Sequence, residues 1–101
     1  MSETSFDVAR NIRMTQDLQC RMLRLVSDFF TAMQENAPKA EQTEILADLE
    51  IVLLLMASRL GISKETLTRK AVMAVKAELL QEKQSAWESD LLQVLQMLEQ
   101  A

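Results

Sequence analysis

Ile45-Leu-Ala-Asp-Leu-Glu-Ile-Val-Leu-Leu-Leu-Met-Ala-Ser-Arg-Leu-Gly-Ile-Ser-Lys-Glu65 is the stretch on which the fold turns. Ile45, Leu49, Val52, Met56 and Leu60 recur at three- and four-residue steps, the spacing of one helix face. Ile51, Leu53, Leu54 and Leu55 fill the other faces, so the helix, read over about residues 40–60, is apolar nearly all round. Such a helix needs burial on several sides. A chain of 101 residues has few elements to cover it, because small domains bury a smaller fraction of their surface. Self-association is therefore expected, as a homodimer, with Ile51, Leu54, Leu55, Trp87, Leu91 and Leu95 at the interface. Gly61, the one glycine, is placed to stop the helix in the left-handed conformation. Ser63 follows as an N-cap, with Glu65 in the first turn facing the positive helix end. Ile62 and Leu67 stand at the two positions of a hydrophobic staple.

Working outward, an N-terminal helix runs from about Thr15 to Glu35, with a start as early as Phe6 open. Its stripe is Met14, Leu18, Met22, Leu25, Phe29 and Met33, widened by Val26 and Phe30. Asn36-Ala-Pro38 breaks it, since proline cannot continue a helix and restricts the residue before it. After Ser63 a third helix spans Lys64 to about Glu82, with Leu67, Ala71, Val75 and Leu79 on one face. Ser85-Ala-Trp-Glu88 has capping-box spacing. A fourth helix then carries Trp87, Leu91, Val94 and Leu98 in a stripe, with Leu95 beside it. No glycine or proline separates the last two segments, which leaves two helices or one bent helix. The fold class is all-α: one domain over 1–101, a small bundle of three to four helices with a helix-turn-helix-like corner at Gly61. Residues 1–12 are read as a segment that can fray.

Composition narrows the function. Hydrophobic residues make up 49 % and charged residues 26 %, a globular balance. The net charge of −4 argues against non-specific coating of nucleic acid. The single cysteine, Cys20, excludes an internal disulfide and suggests a reducing, cytoplasmic setting. No signal peptide is read at the start, and the longest apolar run, Ile51 to Ala57, is far short of the ~20 residues that span a bilayer. Histidine is absent, which removes the most common general base and the usual imidazole ligand. One glycine cannot build a phosphate-binding loop, and one cysteine cannot build a zinc site. The 15 Asp and Glu are scattered among basic residues at helix-surface spacings and read as solvated faces. Neither an enzyme nor a cofactor, metal or small-molecule substrate is expected. The seven methionines read as core filling, and Arg10, Arg13, Arg21 and Arg24 as a salt-bridged surface with nearby aspartates.

The segment Met56-Ala-Ser-Arg-Leu-Gly-Ile-Ser-Lys-Glu-Thr-Leu-Thr-Arg-Lys70 resembles the DNA-reading half of helix-turn-helix regulators of the Fis and NtrC type. Ala57 stands as the small residue that lets two helices approach, Gly61 as the turn, and Leu60, Ile62 and Leu67 as the corner. The resemblance implies that Ser63, Lys64, Glu65, Thr66, Thr68, Arg69 and Lys70 face DNA, with basic side chains meeting phosphate and guanine edges. Residues 63–83 carry five basic and three acidic side chains, Lys76 among the former, in an otherwise acidic chain. A purely structural corner remains the other reading of the same residues. From Glu44 onward the helix order, with Leu67-Thr-Arg-Lys70 and the closing Leu91-Leu-Gln-Val-Leu95, is also similar to YmgB/AriR-type regulators. That resemblance implies a helical dimer without enzymatic activity, implicated in gene control. Cys20, Thr31-Ala-Met33 and Leu49-Glu50 carry a fainter likeness to IraP-type anti-adaptors.

These readings lead to a dimeric helical regulator that uses residues 57–76 to contact duplex DNA or a DNA-bound partner. The competing class is a protein-binding adaptor, anti-adaptor or chaperone that docks a partner helix on its apolar second helix. A third is a structural bundle.

Overall fold

The computed structural model describes the backbone of residues 3–81 and 86–100 and the side chains from Phe6 onward within those ranges. The described residues form four helices: α1 (Glu3–Gln34), α2 (Lys39–Arg59), α3 (Lys64–Gln81) and α4 (Glu88–Gln100). No strand occurs among the described residues. The expected all-α architecture is present. The last two segments are two helices rather than one bent helix. The proposed capping box begins at Ser85, which lies outside the described residues. The chain divides into two compact units, Met1–Gly61 and Ile62–Ala101. No helix among the described residues is long and apolar enough to cross a membrane.

In unit 1, α1 and α2 form an antiparallel hairpin. The turn between them is set by Asn36, which sits in the left-handed region at φ 54°. The Ala37 N–H donates to the Ala32 carbonyl at 2.9 Å and the Asn36 N–H to the Met33 carbonyl at 3.3 Å. This pair of bonds satisfies carbonyls that a helix end leaves orphaned. Pro38 then opens α2, accepting at its carbonyl from the N–H groups of Glu41 and Gln42, and the Gln42 side chain donates to the Ala37 carbonyl.

The hairpin seam has coiled-coil spacing. Thr15, Leu18, Met22, Leu25, Phe29 and Ala32 of α1 are half-buried or buried, as are Ile45, Leu49, Val52 and Met56 of α2. Alternating steps of four and three keep each stripe facing its partner. Thr15 fits this apolar seam because its hydroxyl donates to the Asn11 carbonyl at 2.8 Å, a local bond available to threonine in helices. Val52, 2 % exposed, is the most enclosed side chain of the seam. The expected stripes differ from this seam at their ends. Met33 and Leu60 are exposed, and Ala32 holds the place by the turn, because the stripe advances from Phe29 by three residues rather than four.

Unit 2 is a shorter hairpin. Thr68, Ala71, Val72, Val75 and Leu79 of α3 are half-buried, as are Leu91, Leu95 and Leu98 of α4. Neither helix has a fully buried residue among those described. Leu67, expected in the stripe, is instead exposed, and Thr68 takes its place. Gly61, at φ 75°, ends α2 as anticipated. The Ser63 hydroxyl accepts from the Thr66 N–H at 3.1 Å, completing the expected cap.

Candidate interaction surfaces

Helical spacing divides the flanks of the unit 1 hairpin into two kinds. Along the side of the seam that lies one position further on, α1 carries Ile12, Leu23, Val26, Phe30 and Met33, with Gln16 and Gln19 between Ile12 and Leu23. The same side of α2 carries Leu46 and Leu53, with Leu60 just past its end, while Ala57 in this row is buried. In an antiparallel pair these rows border the same side of the seam. The eight larger apolar side chains are exposed, with Leu23 at 74 %, Phe30 at 66 % and Leu53 at 48 %. Glu50 is the charged residue in these rows. A two-helix hairpin buries one stripe of each helix, and this second stripe is left over.

The other flank is charged near the turn. A groove there is lined by Asp28 and Thr31 of α1, Glu35 of the turn, and Glu41, Glu44 and Asp48 of α2, over a floor of Leu25, Ala32 and Ile45. Five carboxylates on one groove invite comparison with sites for divalent cations, which take oxygen ligands. Among the described residues, however, no three acidic, cysteine or histidine side chains come together closely enough to hold a metal ion. The groove also contains no basic side chain to balance an anionic ligand.

In unit 2, a groove along α3 and α4 is lined by Lys64, Glu65, Thr68, Arg69, Val72, Leu98 and Glu99. Lys64, Arg69 and Lys70 are exposed near the start of α3. Lys76 pairs with Glu99 at 3.8 Å across the hairpin. Ser63 and Thr66, also expected as contacts, are occupied with each other through the cap, with 2.9 Å between their hydroxyl oxygens. Thr68 is half-buried in the seam. The expected contact set thus contains an exposed basic trio, a cap, a seam residue and an ion-paired lysine.

The expected oligomer interface draws residues from both units. Ile51, Leu54 and Leu55 are exposed, on sides of α2 other than the seam. Trp87 is 67 % exposed, just before α4. Leu91 and Leu95 are half-buried and lie on the α4 seam. The apolar flank of unit 1 does not stand out in the sequence, because Val26, Phe30, Met33 and Leu60 continue the same stripes as the seam residues. Its signal was the second three-four series in α1, Leu23-Val26-Phe30-Met33, running parallel to the first.

A family model described as the MazG-like family matches residues 8–93. No curated protein and no solved structure matches the chain. The family match corrects the resemblances to YmgB/AriR-type regulators and to Fis/NtrC-type helix-turn-helix proteins. The physical reason lies in what carried those likenesses. A glycine stop, a serine cap and an amphipathic start with basic residues are the chemistry of any tight junction between two helices. The family match instead reaches across all four helices.

Proposed function

The chain belongs to the MazG-like family, and from that starting point we propose that it is a non-catalytic member that works by docking its exposed apolar helix faces against another macromolecule. The family is related to nucleotide pyrophosphatases, so nucleotide hydrolysis is the activity to weigh against this reading. The carboxylate groove lacks both a metal-holding group among the described residues and a cation of its own. The observation that carries the docking reading is α2, which exposes Leu46, Ile51, Leu53, Leu54 and Leu55 while its partner helix covers one side. Apolar surface of this extent on one element marks an interaction site.

The test pairs an activity with a binding readout. Incubated with Mg²⁺ or Mn²⁺ and a panel of nucleoside triphosphates, the protein should release neither phosphate nor pyrophosphate. Release that disappears in Asp28→Asn and Asp48→Asn variants would overturn the non-catalytic reading. Leu54→Asp should lose the macromolecules captured by the wild-type chain while keeping its helical circular dichroism.

A second reading keeps residues 57–76 as a contact surface for duplex DNA or a DNA-bound partner. It is favoured by Lys64, Arg69 and Lys70 standing exposed near one end of α3. Glu65 and Glu99 share the groove with Lys64 and Arg69, so such binding would be weak and steeply salt-dependent. An unchanged duplex mobility at low salt and micromolar protein would remove it.

A further inference from the structure

We propose that the arginine row of α1 is a binding face for a single nucleic-acid strand, with Arg10, Arg13, Arg21 and Arg24 on its phosphates and Phe6 against one of its bases. The face is distinct from the apolar sides of α2 and from the basic residues of α3, so it depends on neither reading above. Arg10, Arg13, Asp17, Arg21, Arg24 and Asp28 follow one another at three- and four-residue steps. At about 3.6 residues per turn this keeps them within about 80° of one another around the helix. From Arg10 to Arg24 the row is about 21 Å long, the length of about six phosphates of a stacked strand at about 3.4 Å each. Between Val8 and Ser27 the four arginines stand with one acid, Asp17, so this part of an acidic chain is locally basic. All four are exposed. The aspartates expected to pair with them do not: among the described residues the ion pair is Lys76 with Glu99, in unit 2. Like charges side by side on a helix repel, and an anion laid along the row relieves that repulsion.

Three features choose a strand among anions. The row is built of arginine, whose flat guanidinium meets a phosphate through two parallel hydrogen bonds. Phe6, 64 % exposed, lines a shallow groove with Arg10, Arg13, Met14 and Asp17. An open aromatic ring beside phosphate contacts is the combination that holds unpaired bases. A duplex keeps its bases stacked on each other, and an acidic peptide has none, so both leave the ring unused. Finally, the row runs on into Asp28, at the edge of the carboxylate groove. A flat anionic surface such as a membrane would press against those carboxylates as well, whereas a flexible strand can follow the arginines and turn away.

The experiment uses the full chain and a fluorescein-labelled oligothymidylate of about twelve nucleotides, read by anisotropy. At low salt the wild type should bind at micromolar concentration. Its log affinity should fall against log salt with a slope of about −3, the value for four phosphate contacts on a single strand. Arg10→Ala with Arg13→Ala, and Arg21→Ala with Arg24→Ala, should each weaken binding about tenfold or more. Their helical circular dichroism should not change, since alanine is a good helix former. Changing all four to lysine should keep most of the slope, which separates lost charge from a fault in folding. Phe6→Ala should weaken binding several-fold and leave the slope as it was, because a base stack releases no counterion. Lys64→Ala, Arg69→Ala and Lys70→Ala together should change nothing. Unlabelled duplex of the same length, polyglutamate and phosphatidylserine vesicles should each displace the labelled strand less well than unlabelled oligothymidylate does. No binding at low salt overturns the proposal, as does binding that the α3 triple variant removes or a slope that the arginine-to-alanine changes leave intact. Stronger competition by duplex, polyglutamate or vesicles also overturns it and hands the face to that competitor.

Discussion

Asn36 holds the unit 1 hairpin together by a backbone conformation that most residues resist. At φ 54° it closes the turn and lets Ala37 bond back to Ala32. Asparagine tolerates the left-handed region, glycine occupies it freely, and a β-branched residue pays about 1–2 kcal/mol there. Asn36→Gly should therefore leave stability unchanged or slightly raised, and Asn36→Val should lower it by about 1–2 kcal/mol, read from urea midpoints at one fixed protein concentration. Ser63 acts at the start of α3 in a comparable way. Removing its hydroxyl leaves the Thr66 N–H without its cap, and Ser63→Ala should cost about 1 kcal/mol. Val52 is the side chain most completely enclosed by the hairpin. Trimming it to alanine should cost about 2 kcal/mol, the transfer energy of the lost methyls plus the space they leave. The same denaturation series checks both, with an unchanged denaturant dependence showing that the fold survives.

At the scale of the element, α2 is the helix that sets the protein's behaviour. Its seam residues Ile45, Leu49, Val52 and Met56 match the series on α1, and that match was legible from spacing alone. What spacing could not decide was which of several apolar rows becomes the seam. Leu46, Leu53 and Leu60 form a second row beside Ile45, Leu49, Val52 and Met56, interrupted by Glu50, and the choice between them is made with the partner helix. The same ambiguity displaced Met33 and Phe30 from the core that the sequence suggested. Unit 2 shows the opposite case. Its seam is thin, Thr68 replaces Leu67 in it, and the exposed Lys76–Glu99 pair adds little because such pairs are well solvated. Replacing Lys64, Arg69 and Lys70 together with alanine should abolish any low-salt retention on duplex, with the helical signal preserved. Retention unaffected by the triple change would place the duplex contact elsewhere.

For the whole molecule, the expected consequence is that stability depends on company. If the chain self-associates, as its apolar second helix leads one to expect, binding is linked to folding, and the thermal midpoint of the wild-type chain rises with protein concentration. A midpoint constant over a hundredfold dilution series would contradict it. The carboxylate groove belongs to this scale as well. Asp28 and Asp48 come from helices on either side of the Asn36–Pro38 turn, and their shared groove was not legible from the linear pattern, which read each carboxylate as a separate solvated face. Whether that shared groove takes part in nucleotide hydrolysis is what the assay with the Asp28→Asn and Asp48→Asn variants decides.

Local chemistry was enough to place the helices and most of their ends. Proline at 38, glycine at 61 and the serine cap at 63 act on the backbone within a turn of themselves, so their effect can be read from neighbouring residues alone. Tertiary structure decided which apolar row of α1 and α2 is enclosed and which stays open, and it brought carboxylates from two helices onto one groove. A helix that is apolar on several sides is equally content with any of them buried, and only the position of its neighbours breaks that tie.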